Sequence, residues 1–221
     1  KMLKCSHAIR RISPRNLCTA STSAEIANAV PLISNNRSYV FDTPQVSVPT
    51  FELSRRVGNL FAQSFYTLCY EKSFTVESLV HGANKGIHSL SHFLADEKWD
   101  QMENLAVKDA VENMREARKG LSKQLENALR FSPDDILLSF LHSTVISGRD
   151  VLKLSSSRNI GIYFTVVSFV RLSEKVPENA SIGELSGKYK SDVLVCNATF
   201  SRVLNPLGVW KVTNANFFLQ N

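Results

Sequence analysis

The sequence predicts an α+β domain in which N-terminal helices pack on one side of an antiparallel sheet of about four strands. Three observations carry this. Between residues 51 and 129 the apolar residues recur at helical spacing. After Ser132-Pro133-Asp134 the period shortens toward two. Helices come first and strands afterwards, an order that segregates the two classes instead of alternating them. The chain of 221 residues, 43% hydrophobic, has room for one such domain and a tail.

The tail comes first. Residues 1–24 hold five basic side chains (Lys1, Lys4, Arg10, Arg11, Arg15) and no acid. Without them the chain keeps 21 Lys and Arg against 20 Asp and Glu, so the net charge of +6 belongs to the tail and not to the domain. Arginine, serine, scattered apolar residues and no acid before Glu25 are the composition of a mitochondrial transit peptide. Lys4, His7, Arg10 and Arg11 interrupt every apolar run that a secretory signal would need. Residues 1–24 are therefore expected to direct the protein to the mitochondrial matrix. Residues 25–50, with Pro31, Pro44 and Pro49 among Ser, Asn and Thr, read as an extended linker. The binding domain is expected over 51–219.

A first helix is predicted over 51–71, with Val57, Leu60, Phe61, Phe65 and Leu68 on its buried face and Tyr66 and Tyr70 pointing elsewhere. Over 75–95, Val76, Leu79, Val80, Ala83, Ile87, Leu90 and Leu94 keep to a single stripe. Thr75 starts this helix without a full capping box, because Ser78 stands where an acid or amide would be needed. Shorter helices follow, one from Asp96 or Glu97 through Trp99, Met102 and Leu105, one over 108–119 with Ala110, Val111 and Met114 inward, and one over 121–129.

Strands are predicted over 136–146, 159–171, 192–203 and 209–219. The second is apolar on both faces and hence central. The third alternates, with Leu194, Cys196, Ala198 and Phe200 on one side and Asn197, Thr199 and Ser201 on the other. Asn205-Pro206-Leu207-Gly208 turns the chain into the fourth. Gly183 and Gly187 read as loop positions.

Searches for chemistry return little. His88 and His92 stand four apart, and with His81 they project about 120° to 160° away from Val76, on a polar flank of the helix. No further Cys or His completes a metal set, so neither metal nor cofactor is expected. There is no G-x-S-x-G, Walker or G-x-G-x-x-G pattern. The paired acids Asp96-Glu97 and Asp134-Asp135 lie at predicted element starts, and Arg55-Arg56 and Arg115, Arg118, Lys119 read as solvated faces. A near-neutral domain argues against nucleic acid as a partner. Cys69 and Cys196 are expected as buried small apolar residues of a reducing compartment.

The order of pieces has a counterpart. Residues 51–74, then Thr75-Val-Glu-Ser-Leu-Val-His-Gly-Ala-Asn-Lys-Gly, then Lys98-Trp99-Asp100-Gln101-Met102-Glu103-Asn104-Leu105, then Ala198-Thr199-Phe200-Ser201-Arg202 with Trp210, together resemble the mitochondrial m-AAA protease-interacting protein family. The resemblance spans about residues 51–219 and extends to the C-terminal domain of the import-motor scaffold and to an exit-tunnel mitoribosomal protein. It implies a curved, nuclear-transport-factor-like cone. It also implies a non-enzymatic matrix adaptor, peripheral to the inner membrane, that associates with the m-AAA protease and holds a newly imported calcium-uniporter subunit before assembly. A mitoribosomal or import-motor component tethered to the same membrane is the rival it leaves open. The two glycines and Asn84 within 82–86, and the loop over 148–157, depart from the family pattern. The surplus of aromatics nominates Phe61, Tyr66, Tyr70, Phe164, Phe169 and Phe200 as partner or membrane contacts.

Overall fold

A computed structural model describes residues 38–39, 53–147 and 160–220. The expected transit peptide, most of the linker and the 148–157 loop lie outside the described residues. The elements are β1 (Ser38–Tyr39), α1 (Leu53–Cys69), α2 (Val76–Ala95), α3 (Trp99–Leu105), α4 (Lys108–Arg118), α5 (Lys123–Ala128), β2 (Ile136–Ser147), β3 (Gly161–Arg171), α6 (Ile182–Ser186), β4 (Val193–Val203) and β5 (Lys211–Leu219). This is the α+β class that the sequence predicts.

Four long strands form an antiparallel meander in the order β5-β4-β3-β2, and β1 adds two residues to the outer side of β5. β3 and β4 pair in unbroken register from Gly161↔Val203 to Arg171↔Val193, which makes β3 central as expected. Alternation along the strands then sorts side chains to two faces. One face carries Val166, Val170, Leu194, Cys196, Ala198, Phe200 and Phe217. Across it lies α2 through Ala83, Ile87, Leu90 and Leu94, backed by Met102 of α3, Val111 and Met114 of α4 and Leu125 of α5.

The helices do not all keep to the one side that the sequence predicts. The opposite face holds Val167, Phe169, Val193, Val195 and Phe218, covered by Val176 and by Leu185 of α6. α6 is a short helix where Gly183 and Gly187 suggested only loop. Ser181 Oγ accepts from the Glu184 N–H while Glu184 Oε2 accepts from the Ser181 N–H at 2.8 Å, a complete capping box.

Local chemistry sets the helix ends. Thr75 Oγ1 accepts from the Ser78 N–H at 3.1 Å and starts α2 as a simple N-cap. Asp96, expected at a helix start, instead closes α2, its N–H donating to His92 O. Glu97 then takes φ 56°, the left-handed turn that redirects the chain into α3. Around this corner Arg118 reaches Glu97 and Glu126 at 3.5 and 3.2 Å, and Arg130 binds Asp96 and the Ala95 carbonyl. Arg118 is thus an inward strut and not a solvated charge. Between α3 and α4 the Val107 N–H donates to Val212 O at 2.9 Å, tying the helical layer to the edge of β5.

Candidate binding surfaces

α1 is rotated half a turn from expectation. Its apolar stripe faces outward: Leu53 is 67% exposed, Val57 45%, Leu60 66%, Phe61 72% and Leu68 75%. The side turned to the protein carries Asn59, Gln63 and Tyr66. Asn59 Nδ2 donates to His142 O at 3.0 Å and Asn59 Oδ1 accepts the Thr144 N–H at 2.8 Å, so one side-chain amide pairs with the free edge of β2 as a neighbouring strand would. Gln63 Nε2 donates to Thr144 Oγ1 at 3.2 Å.

Tyr66 fixes the rotation. Its ring is fully buried against Phe74, Phe164 and Trp210, with centroids 5.0, 5.9 and 6.2 Å away. Its hydroxyl donates to Glu71 Oε2 at 2.5 Å, and Arg202 Nη1 donates to both, at 3.0 Å to the phenol oxygen and 2.9 Å to Glu71. Arg202 Nε reaches Gly208 O at 2.7 Å, and its guanidinium lies 5.4 Å above the Trp210 ring. Burial, then donation to Glu71, push the phenol up to about 12. Tyr66, Glu71 and Arg202 thus bind one another, and Arg202 also binds backbone.

The nominated aromatics therefore separate. Phe61 is exposed on α1 and Phe200 borders a cavity. Tyr66 and Phe164 are core beneath α1, and Phe169 is core on the far face of the sheet. None of these three presents surface to a partner. Tyr70 is half-buried, edge-on to Phe65 at 5.8 Å. Of the two cysteines expected inside, Cys196 is buried and Cys69, the last residue of α1, is exposed.

The cavity lies between α2 and the sheet and encloses about 400 Å³. Leu79, Leu105, Phe200, Trp210 and Val212 form its walls, Gly82 and Gly86 its α2 side, and Ser78, Lys85 and Ser89 its polar positions. Among the described residues, neither an acid nor a histidine lines it. Gly86 is required by packing, since a Cβ there would stand 2.9 Å from Phe200 Cε1. A second, shallower groove of about 560 Å³ runs between α2 and β2 past Val76, Val80, His81, Phe140 and Leu141. Near it Asn84 Oδ1 accepts from Ser139 and Ser168 hydroxyls at 2.8 and 3.1 Å, which accounts for an asparagine within α2.

Comparison of the chain with protein-family models, with curated proteins and with solved structures finds no match. The residues that carried the resemblance occupy packing positions: Met102 is buried in α3, and Phe200, Arg202 and Trp210 converge where β4 turns into β5. The His88 and His92 rings lie tilted at 51° with centroids 4.5 Å apart, and His92 Nε2 lies 3.0 Å from Phe131 O. Burial, followed by the neighbouring His92, lowers the His88 pKa. Among the described residues no three His, Cys, Asp or Glu side chains gather as a metal set would, and no helix is long and apolar enough to cross a membrane.

Sequence reasoning missed Gly82, Lys85 and Trp210 as cavity residues and took the α1 stripe for core. The signal for the first was present: two glycines one turn apart beside the apolar stripe of a helix.

Proposed function

We propose that this protein is a non-enzymatic adaptor of the mitochondrial matrix, peripheral to the inner membrane, that works with the m-AAA protease and guards a small membrane-protein client before assembly, the calcium-uniporter subunit that the family resemblance implies. The outward stripe of α1 is the observation that carries the reading. Five large apolar side chains stand in solvent along one helix of 17 residues. That helix contains Arg55 and Arg56 and no acid. An amphipathic helix of this composition suits the interface of an anionic bilayer, where the apolar side enters the headgroup boundary and the cations stay with the phosphates. The basic, acid-free residues 1–24 support the address. The cavity beside α2, without acid or histidine, suits recognition better than proton transfer.

The test is flotation of the purified chain with vesicles containing an anionic lipid, alongside recovery of the m-AAA protease from solubilised mitochondria. Leu60→Asp with Phe61→Asp is expected to abolish flotation and to reduce protease recovery several-fold without altering the melting profile, since both side chains already face water. Unchanged flotation and recovery would remove the membrane role of α1. Sedimentation with the large mitoribosomal subunit would transfer the reading to the ribosomal rival.

A further inference from the structure

Two glycines stand one turn apart on α2, and packing within the chain explains only one of them. A Cβ on Gly86 would collide with the Phe200 ring; a Cβ on Gly82 would meet nothing within 4 Å. Glycine in a helix interior is less favourable than alanine, because its backbone loses more freedom on folding. At Gly82 that disadvantage is accepted with no neighbour to accommodate. What the missing side chain leaves is open space over the cavity bounded by Leu79, Leu105, Phe200 and Trp210.

Among the described residues the one charged side chain at this cavity is that of Lys85, three residues along α2 from Gly82 and exposed. Its ammonium has no ion pair or hydrogen bond with any described residue, so it is available to an incoming anion. Ser78 adds an exposed hydroxyl nearby.

We infer that the Gly82 cavity is an anchor site for one bulky apolar side chain of a protein client, Leu, Met or Phe in class, with an acidic residue about one turn away set against Lys85. The inference rests on the adaptor reading and supplies the chemistry of its client. A volume of about 400 Å³ is at the small end of ligand-sized clefts, enough for one or two side chains. Apolar walls that include Phe200 and Trp210 are the setting in which a single buried residue dominates a protein interface. An unpaired cation at the rim selects by charge and fixes register.

The experiment uses the full chain and a defined probe: fluorescein-labelled helical peptides with a single Phe or Leu anchor and a Glu four residues away, followed by anisotropy. Peptides with the anchor changed to Ser, or the Glu changed to Lys, are the controls. Gly82→Leu fills the cavity, and with open space around its Cβ it is expected to melt at or above the temperature of the parent. Peptide binding is expected to weaken at least tenfold in Gly82→Leu and several-fold in Lys85→Glu. Lys85→Glu should regain binding with the Lys-bearing peptide. Parent-like binding by Gly82→Leu, indifference to the anchor, or absence of charge-swap recovery would overturn the inference. So would native mass spectrometry showing that the purified parent, but not Gly82→Leu, carries a small amphiphile, which would give the cavity to a free ligand. Peptide failure with vesicle flotation intact rejects only this site. Peptide binding intact with flotation and protease recovery absent rejects the adaptor reading while leaving the site standing.

Discussion

Replacing Arg202 with methionine should show how α1 is held. The guanidinium donates to Glu71 and to the Tyr66 phenol oxygen at 2.9 and 3.0 Å and to Gly208 O at 2.7 Å. Methionine keeps most of the stem and removes all three bonds. Side-chain exposures of 17% for Arg202 and 34% for Glu71 place the pair between two regimes. Exposed ion pairs contribute about 0–1 kcal/mol, and leaving one partner of a buried pair alone costs about 3–5 kcal/mol. Glu71 retains the Tyr66 hydroxyl and access to water, so a loss of about 2–3 kcal/mol is expected, including about 0.5–1 kcal/mol from the cation over Trp210. For a domain of this size that corresponds to roughly 5–10 °C in Tm. Urea unfolding followed by circular dichroism, for the parent, Arg202→Met, Glu71→Ala and the double variant, gives the coupling directly, and about 1–2 kcal/mol is expected. A single-variant loss under about 0.5 kcal/mol, or additive singles, would refute the view that these residues act as one latch.

The remaining predictions concern protons, space and thiols. The Tyr66 phenol, at about 12 in the fold against about 10 unfolded, is protonated more in the native state between those values, so stability falls as pH rises through that window. By pH about 11.5 the loss should approach ~2 kcal/mol, and Tyr66→Phe should be flatter than the parent over the same range in urea midpoints. Gly82→Ala gains helix propensity freely and should stabilise by about 0.5–1 kcal/mol, whereas the same gain at Gly86 is opposed by displacement of Phe200. The two variants should therefore differ by at least about 1 kcal/mol in unfolding free energy, and equal values would mean that Phe200 moves aside at no cost. Burial pushes the Cys196 thiol up, and Cys69 is exposed, so brief alkylation of the native protein with peptide mapping should mark Cys69 and spare Cys196.

Where the fold was legible in the sequence, a single physical demand dominated. The stripe of α2 answers to one buried face, and Ala110, Val111 and Met114 of α4 do the same on a smaller scale. α1 was misread because two of its faces were credible. Leu60, Phe61 and Leu68 have the larger apolar surface, yet Tyr66 is the residue buried. Its burial depends on Arg202, 136 positions away, and on Phe164 and Trp210, which no local window contains. α6 could have been found from Ser181 and Glu184, whose spacing is the capping-box signature, had Gly183 not drawn the reading toward a loop. Phe200 was nominated on aromatic character and does border the cavity, but the space itself is made by Gly82, an absence of side chain that residue-type searches do not register.

Asn59 carries a consequence for how the domain can be cut. β2 is the outer strand of the meander, and strands in that position are templates for pairing with other chains. The single amide of Asn59 occupies the His142 carbonyl and the Thr144 N–H, standing in for a strand that the described residues do not supply. A fragment beginning after α1 would lose the exposed apolar stripe and, by ordinary expectation, gain solubility. It would also uncap β2 and bare Phe164, Phe74 and Trp210, so trimming away the sticky helix should yield the more aggregation-prone product.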